Sequence, residues 1–541
     1  MRPTALNHLR AWNGPLVTLL GLALALLAGL LLVRLTPLGG ALFVLLAVLG
    51  VATVIEPLIG LAAALFLGPL WAYLRAEVPQ VPAQIAQLFV ALALAAWLAR
   101  GLARREIRLP NLLGRGNHER YLLKNPGEET RFLCKRSDKN LVSHLPLLLP
   151  LLAFLGAALL SLWDAVELPV YGLPELIKWV QILLLYLFVS DYLSAGKQTR
   201  PTSRRLGWLL GALLVTGLFQ AGVGIWQFGL RGEGPDHFAI ATLGEHFYRA
   251  YGTFEQPNPY AGYLGLTLPL ALGVTIGAIR DAHLRRRRGV ALLRPYALLI
   301  VVVALGAALG MSWSRGAWLG CGAALAVMAL ALPRQARWGL LLIVLLVGGG
   351  GGLYAAGLIP ESILARLTSF VQDARFEDVR GVGINDANYA VVERLAHWQA
   401  ALEMWRYNFL NGVGLGCYEP AYSRFALINW PIALGHAHNF YLNIAAETGL
   451  FGLAAYLFLW GAVFWQTWRA TRRAEGLLRG VAIGLLGAWT HLNVHHFLDN
   501  LYVNNVHLHI GVLLGLLAFI IRQIDKSANE YNIYGNYSLS R

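Results

Sequence analysis

The chain is made of apolar runs too long and too unbroken for the core of a water-soluble protein. "PLVTLLGLALALLAGLLLV", "LPLLLPLLAFLGAALLSLW" and "LLIVVVALGAALGMSW" are each close to the roughly 20 residues a helix needs to cross ~30 Å of hydrocarbon. A backbone in lipid must satisfy its own hydrogen bonds, which leaves helices or a closed barrel. The alternation a barrel strand needs is absent. With 57% hydrophobic and 13% charged residues, the pattern predicts an all-α polytopic transmembrane bundle.

Fourteen spans can be placed, at 15–34, 37–55, 57–74, 82–102, 145–163, 172–194, 205–229, 258–279, 293–311, 315–333, 338–356, 437–467, 477–497 and 503–522. The fold expected is a bundle of about 12–14 spans. The first run is longer than a signal-peptide h-region and lacks a small-residue cleavage site, so it reads as a retained helix. The chain divides into N-terminal membrane helices (1–99), a basic cytosolic insertion (100–144) and central membrane helices (145–356). An extracytoplasmic helical loop domain (357–435), C-terminal membrane helices (436–524) and a cytosolic tail (525–541) follow.

Alternating the spans from an inner N-terminus puts 32 of the 44 Lys and Arg, but only 11 of the 29 Asp and Glu, on the inner side. That is the bias expected of cytoplasmic loops, with both termini cytoplasmic. The net charge of +15 is therefore a topology signal, and it gives no ground for nucleic-acid binding. Stretches such as "RDAHLRRRRGV" suit the anionic inner leaflet, and the 100–144 insertion reads as little structured. Cys134, Cys321 and Cys417 fall in a cytosolic loop, a span and an outer loop, so no disulfide is implied.

In the outer segment, "YAVVERLAHWQAALEMWRY" places Val391, Leu395, Trp398, Leu402 and Trp405 at three-and-four spacing. It predicts an amphipathic helix that lies on the membrane or caps a cavity. "NGVGLGCYEP" follows, with Gly412, Gly414 and Gly416. No strand precedes it and no GK[ST] follows, so it reads as a turn rather than a nucleotide loop.

The informative polar residues gather at the outer ends of helices. Arg249 precedes the eighth span, whose mouth carries Pro257, Asn258 and Pro259, and Ser314 and Arg315 occupy the turn between the ninth and tenth. Each arginine can snorkel or pair with a carboxylate. Each can equally offer a rigid fork of donors to phosphate oxygens.

In "GHAHNFYLNIAAETGLFG", a continuous helix at about 100° per residue would put Gly449 ~20° and Gly452 ~40° from His438. The two glycines would then let a neighbouring helix pack closely and fix the imidazole at the outer mouth. His438 with Asn439 reads either as a polar cap or as a base for a hydroxyl nucleophile. His491 and His495, at i, i+4, could bind a metal, but no HExxH or further acidic ligand supports this, so no metal is expected. Asp499 reads as a carboxylate that orients an imidazole or pairs with an arginine, and Glu447 as structural.

These residues resemble a known family. His438-Asn439, nine residues, Gly449, two residues and Gly452 fit the H[NSQ]-x9-G-x-x-[GTY] signature of the O-antigen ligase and polymerase superfamily. "RAYGTFEQPNPYAGYL", "SWSRGAWLG" and "GVGLGCY" are similar to its other recurring blocks, and the likeness covers about 245–510. The resemblance implies a GT-C glycosyltransferase of the bacterial inner membrane, independent of metals, nucleotides and cofactors, with its active site facing the periplasm. Its donor would be a glycan on undecaprenyl pyrophosphate. Its acceptor would be a hydroxyl of lipid A core, of another growing glycan or of a protein side chain. Arg249 and Arg315 would then bind the pyrophosphate, and His438 would activate the acceptor with inversion. Asn439, Asn258, Ser314, Asp499, His495 and Arg394 would support the site.

A polymerase joining repeat units would share the donor site and differ in the acceptor. A transporter would want charges along a path near the midplane, whereas the polar residues here collect at one face. The enzyme reading requires Arg249, Arg315 and His438 to meet in one outward-facing pocket.

Overall fold

Helix closes its own hydrogen bonds in hydrocarbon, and the computed structural model is helical wherever the apolar runs are described. It describes residues 36–103 apart from 79, 80 and 83, then 118–122, 132–136, 145–194, 201–285, 293–373, 378–385 and 388–538, with Leu26, Gly29 and Arg34. The helices are α1 (Pro37–Ile55), α2 (Pro57–Glu77), α3 (Ile85–Ala103), α4 (Leu148–Ser161), α5 (Leu173–Ser194), α6 (Pro201–Ile225), α7 (Pro257–Arg285) and α8 (Leu293–Met311). They continue with α9 (Arg315–Ala331), α10 (Ala336–Ala355), α11 (Glu361–Asp373), α12 (Tyr389–Tyr407), α13 (Phe440–Arg473), α14 (Gly476–His495) and α15 (Val506–Ser538).

Among the described residues, eight helices are long and apolar enough to cross a membrane, and four apolar helices are shorter. The chain is an all-α polytopic membrane bundle. Thirteen of the fourteen expected spans coincide with α1–α10 and α13–α15, while nearly all of 15–34 lies outside the described residues.

The centre is α14, clasped by α7 and α9. Gly273 and Gly277 of α7 interlock with Gly480 and Gly484 of α14, so that a Cβ on Gly273 would run into the Gly480 carbonyl. Small residues spaced by four let the backbones meet, which is how helices gain dispersion contact where lipid supplies no hydrophobic drive. The same helix carries Thr490, His491 and His495, all buried, because its neighbours and not lipid surround it. At its start, Arg479 donates to Thr471 O at 2.8 Å and to Leu332 O at 2.9 Å, and Arg472 donates to Pro333 O at 2.7 Å. Two guanidinium groups thus cap the orphan carbonyls where α9 and α13 end.

The expectation for the opening of α13 is corrected. His438 is not on the helix: Asn439 is the N-cap, its side chain accepting from Tyr441 N and Leu442 N at 3.0 and 3.2 Å. Nor is the helix continuous. Gly449 has φ 62° and ψ −160°, a region essentially reserved for glycine, and this kink breaks the phase that would align His438, Gly449 and Gly452.

The break frees the carbonyls of Ala446 and Glu447 and the amides of Leu450 and Phe451, and the 409–414 loop satisfies all four. Val413 N and Gly414 N donate to Ala446 O and Glu447 O at 2.9 Å each, while Leu450 N and Phe451 N donate to Phe409 O at 2.9 Å and Leu410 O at 3.3 Å. A Cβ at Gly449 would collide with the Leu410 carbonyl, and one at Gly452 with Thr448 of its own helix. The loop, not a neighbouring helix, is what Gly449 admits. "NGVGLGCYEP" is accordingly a docked segment, with Gly412, Gly414 and Gly416 at φ 73°, 104° and 77°. Glu447 is buried and accepts from Tyr418 N at 3.2 Å.

The amphipathic stretch forms α12 with the bounds read from sequence. Val391, Val392, Leu395, Ala396, Ala400, Ala401 and Met404 are its buried apolar residues, and Trp398, Leu402 and Trp405 are half-buried. The 100–144 insertion, expected to be little structured, holds an antiparallel ribbon of β1 (His118–Leu122) and β2 (Phe132–Arg136), in register His118 to Arg136. Its strands are too short to show alternation, but Asn125-Pro126-Gly127 between them is a turn signal.

Candidate active site

The chain between α8 and α9 turns so tightly that Trp313 takes φ 55°. The turn presents Ser314 and Arg315 at the start of α9 to a cavity of about 250 Å³. Arg249, Asn258, Arg366, Arg394 and His495 also line it. Arg249 comes from the loop before α7, Arg366 from α11, Arg394 from α12 and His495 from the end of α14. Arg249 is held by Ser312 O at 3.1 Å and by Asn258 Oδ1 at 3.2 Å, and Arg366 donates twice to Trp313 O, at 3.3 and 3.1 Å.

Four guanidinium groups therefore face one small space. Burial and the neighbouring Arg366, Arg394 and Arg315 push Arg249 down to about 9, against the pull of Asp499. Burial with Arg315 and Arg394 pushes Arg366 down to about 10. Guanidinium groups stay protonated at neutral pH, so Arg249 and Arg366 carry their charges against burial first and mutual repulsion second, and an anion in the cavity would offset both. Ser314 Oγ is buried without a hydrogen-bond partner beside the positive end of α9. From there the hydroxyl can donate into the cavity, and a helix N-terminus favours an anionic acceptor.

A repulsive cluster implies a stability cost. Arg394→Gln should raise the melting temperature of the ligand-free protein by about one degree, on the order of 1 kcal/mol, while weakening anion binding. A lower melting temperature in that variant would show that the cluster does not repel itself.

His438 does not line the cavity. It sits in an adjoining cluster with His436, His397 and Asp499, where the ring centroids of His436 and His397 lie 4.5 and 5.6 Å from its own. Asp499 follows Leu498, a wall residue of the cavity. Its Oδ1 stands 3.5 Å from His436 Nε2 and 4.0 Å from His438 Nδ1. The single pocket expected for Arg249, Arg315 and His438 is thus a cavity with an imidazole cluster beside it, and Arg394 acts electrostatically on both Arg249 and His438.

Burial, then His436, Arg394 and His397, lower His438 to about 2, so its imidazole is neutral across the physiological range. Both its ring nitrogens lack a hydrogen bond. His397 is buried with its ring on Tyr422 and its Nδ1 3.0 Å from Tyr418 Oη, and burial followed by His436 lowers it to about 4.

His436, His438 and Asp499 each offer one atom within 4.8 Å of the others, a spacing a metal ion could use. Metal at His436 Nε2 requires a lone pair there. That conflicts with the hydrogen bond its Nδ1 accepts from His438 N at 3.0 Å. His491 is wedged between Gly265 and Gly320 of α7 and α9. Arg366 and His397 escaped the sequence reading. Both sit in extramembrane helices where a lone basic residue looks like a solvated one, and their only sequence signal is a position on an amphipathic helix.

A search of curated proteins finds no match to the chain. A family model described as O-antigen ligase matches residues 299–457, a stretch that holds Arg315, Arg366, Arg394, His436, His438, Gly449 and Gly452. Over that stretch the chain is similar to the O-antigen ligase family.

Proposed function

We propose that the protein transfers a glycan from undecaprenyl pyrophosphate to an acceptor hydroxyl, lipid A core or a related glycan, at the outer face of the bacterial inner membrane. The observation that carries this reading is the convergence of Arg249, Arg315, Arg366 and Arg394 on one cavity with the unpartnered Ser314 hydroxyl. When the anomeric carbon–oxygen bond breaks, negative charge grows on the pyrophosphate, and preorganised guanidinium forks stabilise it most at that moment.

The acceptor oxygen attacks from the opposite face, and its proton passes to His438. Of the two imidazoles beside Asp499, His438 has ring nitrogens free of hydrogen bonds. The donor's negative charge offsets the field of the arginines and raises the basicity of His438 as the substrate binds. No metal takes part in this scheme.

The test is transfer from labelled donor in proteoliposomes, with the glycosylated acceptor identified. Arg249→Lys and Arg315→Lys should each raise the donor Kd at least about tenfold, because an ammonium point charge does not replace the fork. Undiminished donor binding in both variants would end the pyrophosphate assignment. A polymerase shares this donor site, so a product lengthened by repeat units would identify that acceptor instead.

A further inference from the structure

Beside the imidazole proposed as base lies a residue whose two ring nitrogens both have a neighbour, a backbone amide on one side and a carboxylate on the other. His438 N–H donates to His436 Nδ1 at 3.0 Å. A backbone amide can only donate, so His436 Nδ1 holds a lone pair, and the neutral ring carries its proton on Nε2. That nitrogen faces Asp499 Oδ1 at 3.5 Å. The contact also bears on backbone shape, for His438 has φ 53°, a left-handed conformation disfavoured for a residue with a side chain.

The chain is pinned on either side of it. Ala437 N donates to Asn443 Oδ1 at 3.0 Å, and Phe440 N donates to His496 O at 2.8 Å. Between these anchors, the bond to His436 is what holds the amide of residue 438 itself.

We infer that His436 is a positioning residue, oriented by Asp499, that locks the backbone of His438 in the left-handed turn and so leaves the His438 ring nitrogens unengaged for the acceptor. The inference rests on the transfer reading above, in which His438 takes the acceptor proton. The sequence signature contains His438 and Asn439 but not the histidine two places earlier. The geometry, not the motif, singles out His436.

Two measurements on the full-length protein test this. In proteoliposomes, His436→Ala should lower kcat about 10- to 100-fold, the usual cost of a small misplacement of a reacting group. The donor KM should stay within about twofold, because the residue does not line the anion cavity. His436→Asn, whose Oδ1 can take the place of Nδ1 and accept the amide, should recover activity to within about fivefold of wild type. An unchanged kcat in His436→Ala, or an asparagine variant as impaired as alanine, overturns the assignment.

The second readout needs no activity. At a left-handed position His438→Gly should melt higher than His438→Ala, and this difference should shrink in the His436→Ala background. The same difference in both backgrounds overturns the backbone lock. A wild-type protein that transfers nothing overturns the donor reading, and the melting cycle then decides the positioning role alone.

Discussion

His438→Ala is expected to reduce glycan transfer by about a thousandfold, in the middle of the range for losing a general base, while leaving donor binding unchanged. The second half follows from geometry. The arginines that would hold pyrophosphate line a cavity that His438 does not line, so removing the imidazole leaves the anion site intact. The first half follows from the ring's state, buried, neutral and with both nitrogens unengaged. The two imidazoles that touch its ring are otherwise engaged, since His436 is committed to the His438 amide and faces Asp499, and His397 contacts Tyr418 through Nδ1. Single-turnover transfer with a saturating donor checks this. A variant that transfers at the wild-type rate removes His438 from the chemistry, and one that loses donor affinity as well moves it into the phosphate site.

Gly449→Ala should be the most damaging substitution outside the cavity. Alanine at φ 62° and ψ −160° sits where side chains are essentially never found, and its methyl would strike the Leu410 carbonyl. Backbone strain together with loss of the loop's hydrogen bonds to α13 costs about 3 kcal/mol or more. The consequence extends past stability. Residues 409–414 are the continuation of α12, and α12 brings Arg394 to the cavity and His397 to His438. Undocking the loop should therefore expose 409–416 to proteolysis, lower the melting temperature and abolish transfer together. Wild-type melting and protease resistance in Gly449→Ala would mean that the helix can run straight through this position after all.

The expectation for Gly449 was made on a helical wheel, and the reason it failed is instructive. A wheel assumes a constant turn per residue, and glycine is the residue that lets the chain abandon it. Whether it does so depends on a partner, here a loop some forty residues earlier that supplies acceptors and donors for the freed groups. The same limit hid the 118–136 ribbon, Arg366 and His397, whose roles depend on contacts rather than spacing. In contrast, α12 was legible as a helix from its local pattern, although the face it buries runs on through Ala396, Ala400 and Met404 while Trp398, Leu402 and Trp405 stay half-buried.

Hydropathy determined on its own that this chain is a helical membrane bundle, and where its described apolar helices run, because the cost of leaving backbone groups unpaired in lipid acts on every segment separately. The short signature around His438, with Arg249 and Arg315, picked out residues that the fold gathers at the cavity and in the imidazole cluster beside it. Only the tertiary structure decided that four arginines share a cavity while the imidazoles stand beside it, that His436 is committed to the backbone of His438, and that the outer loop completes a broken helix. Those outcomes depend on which donors and acceptors meet across the fold.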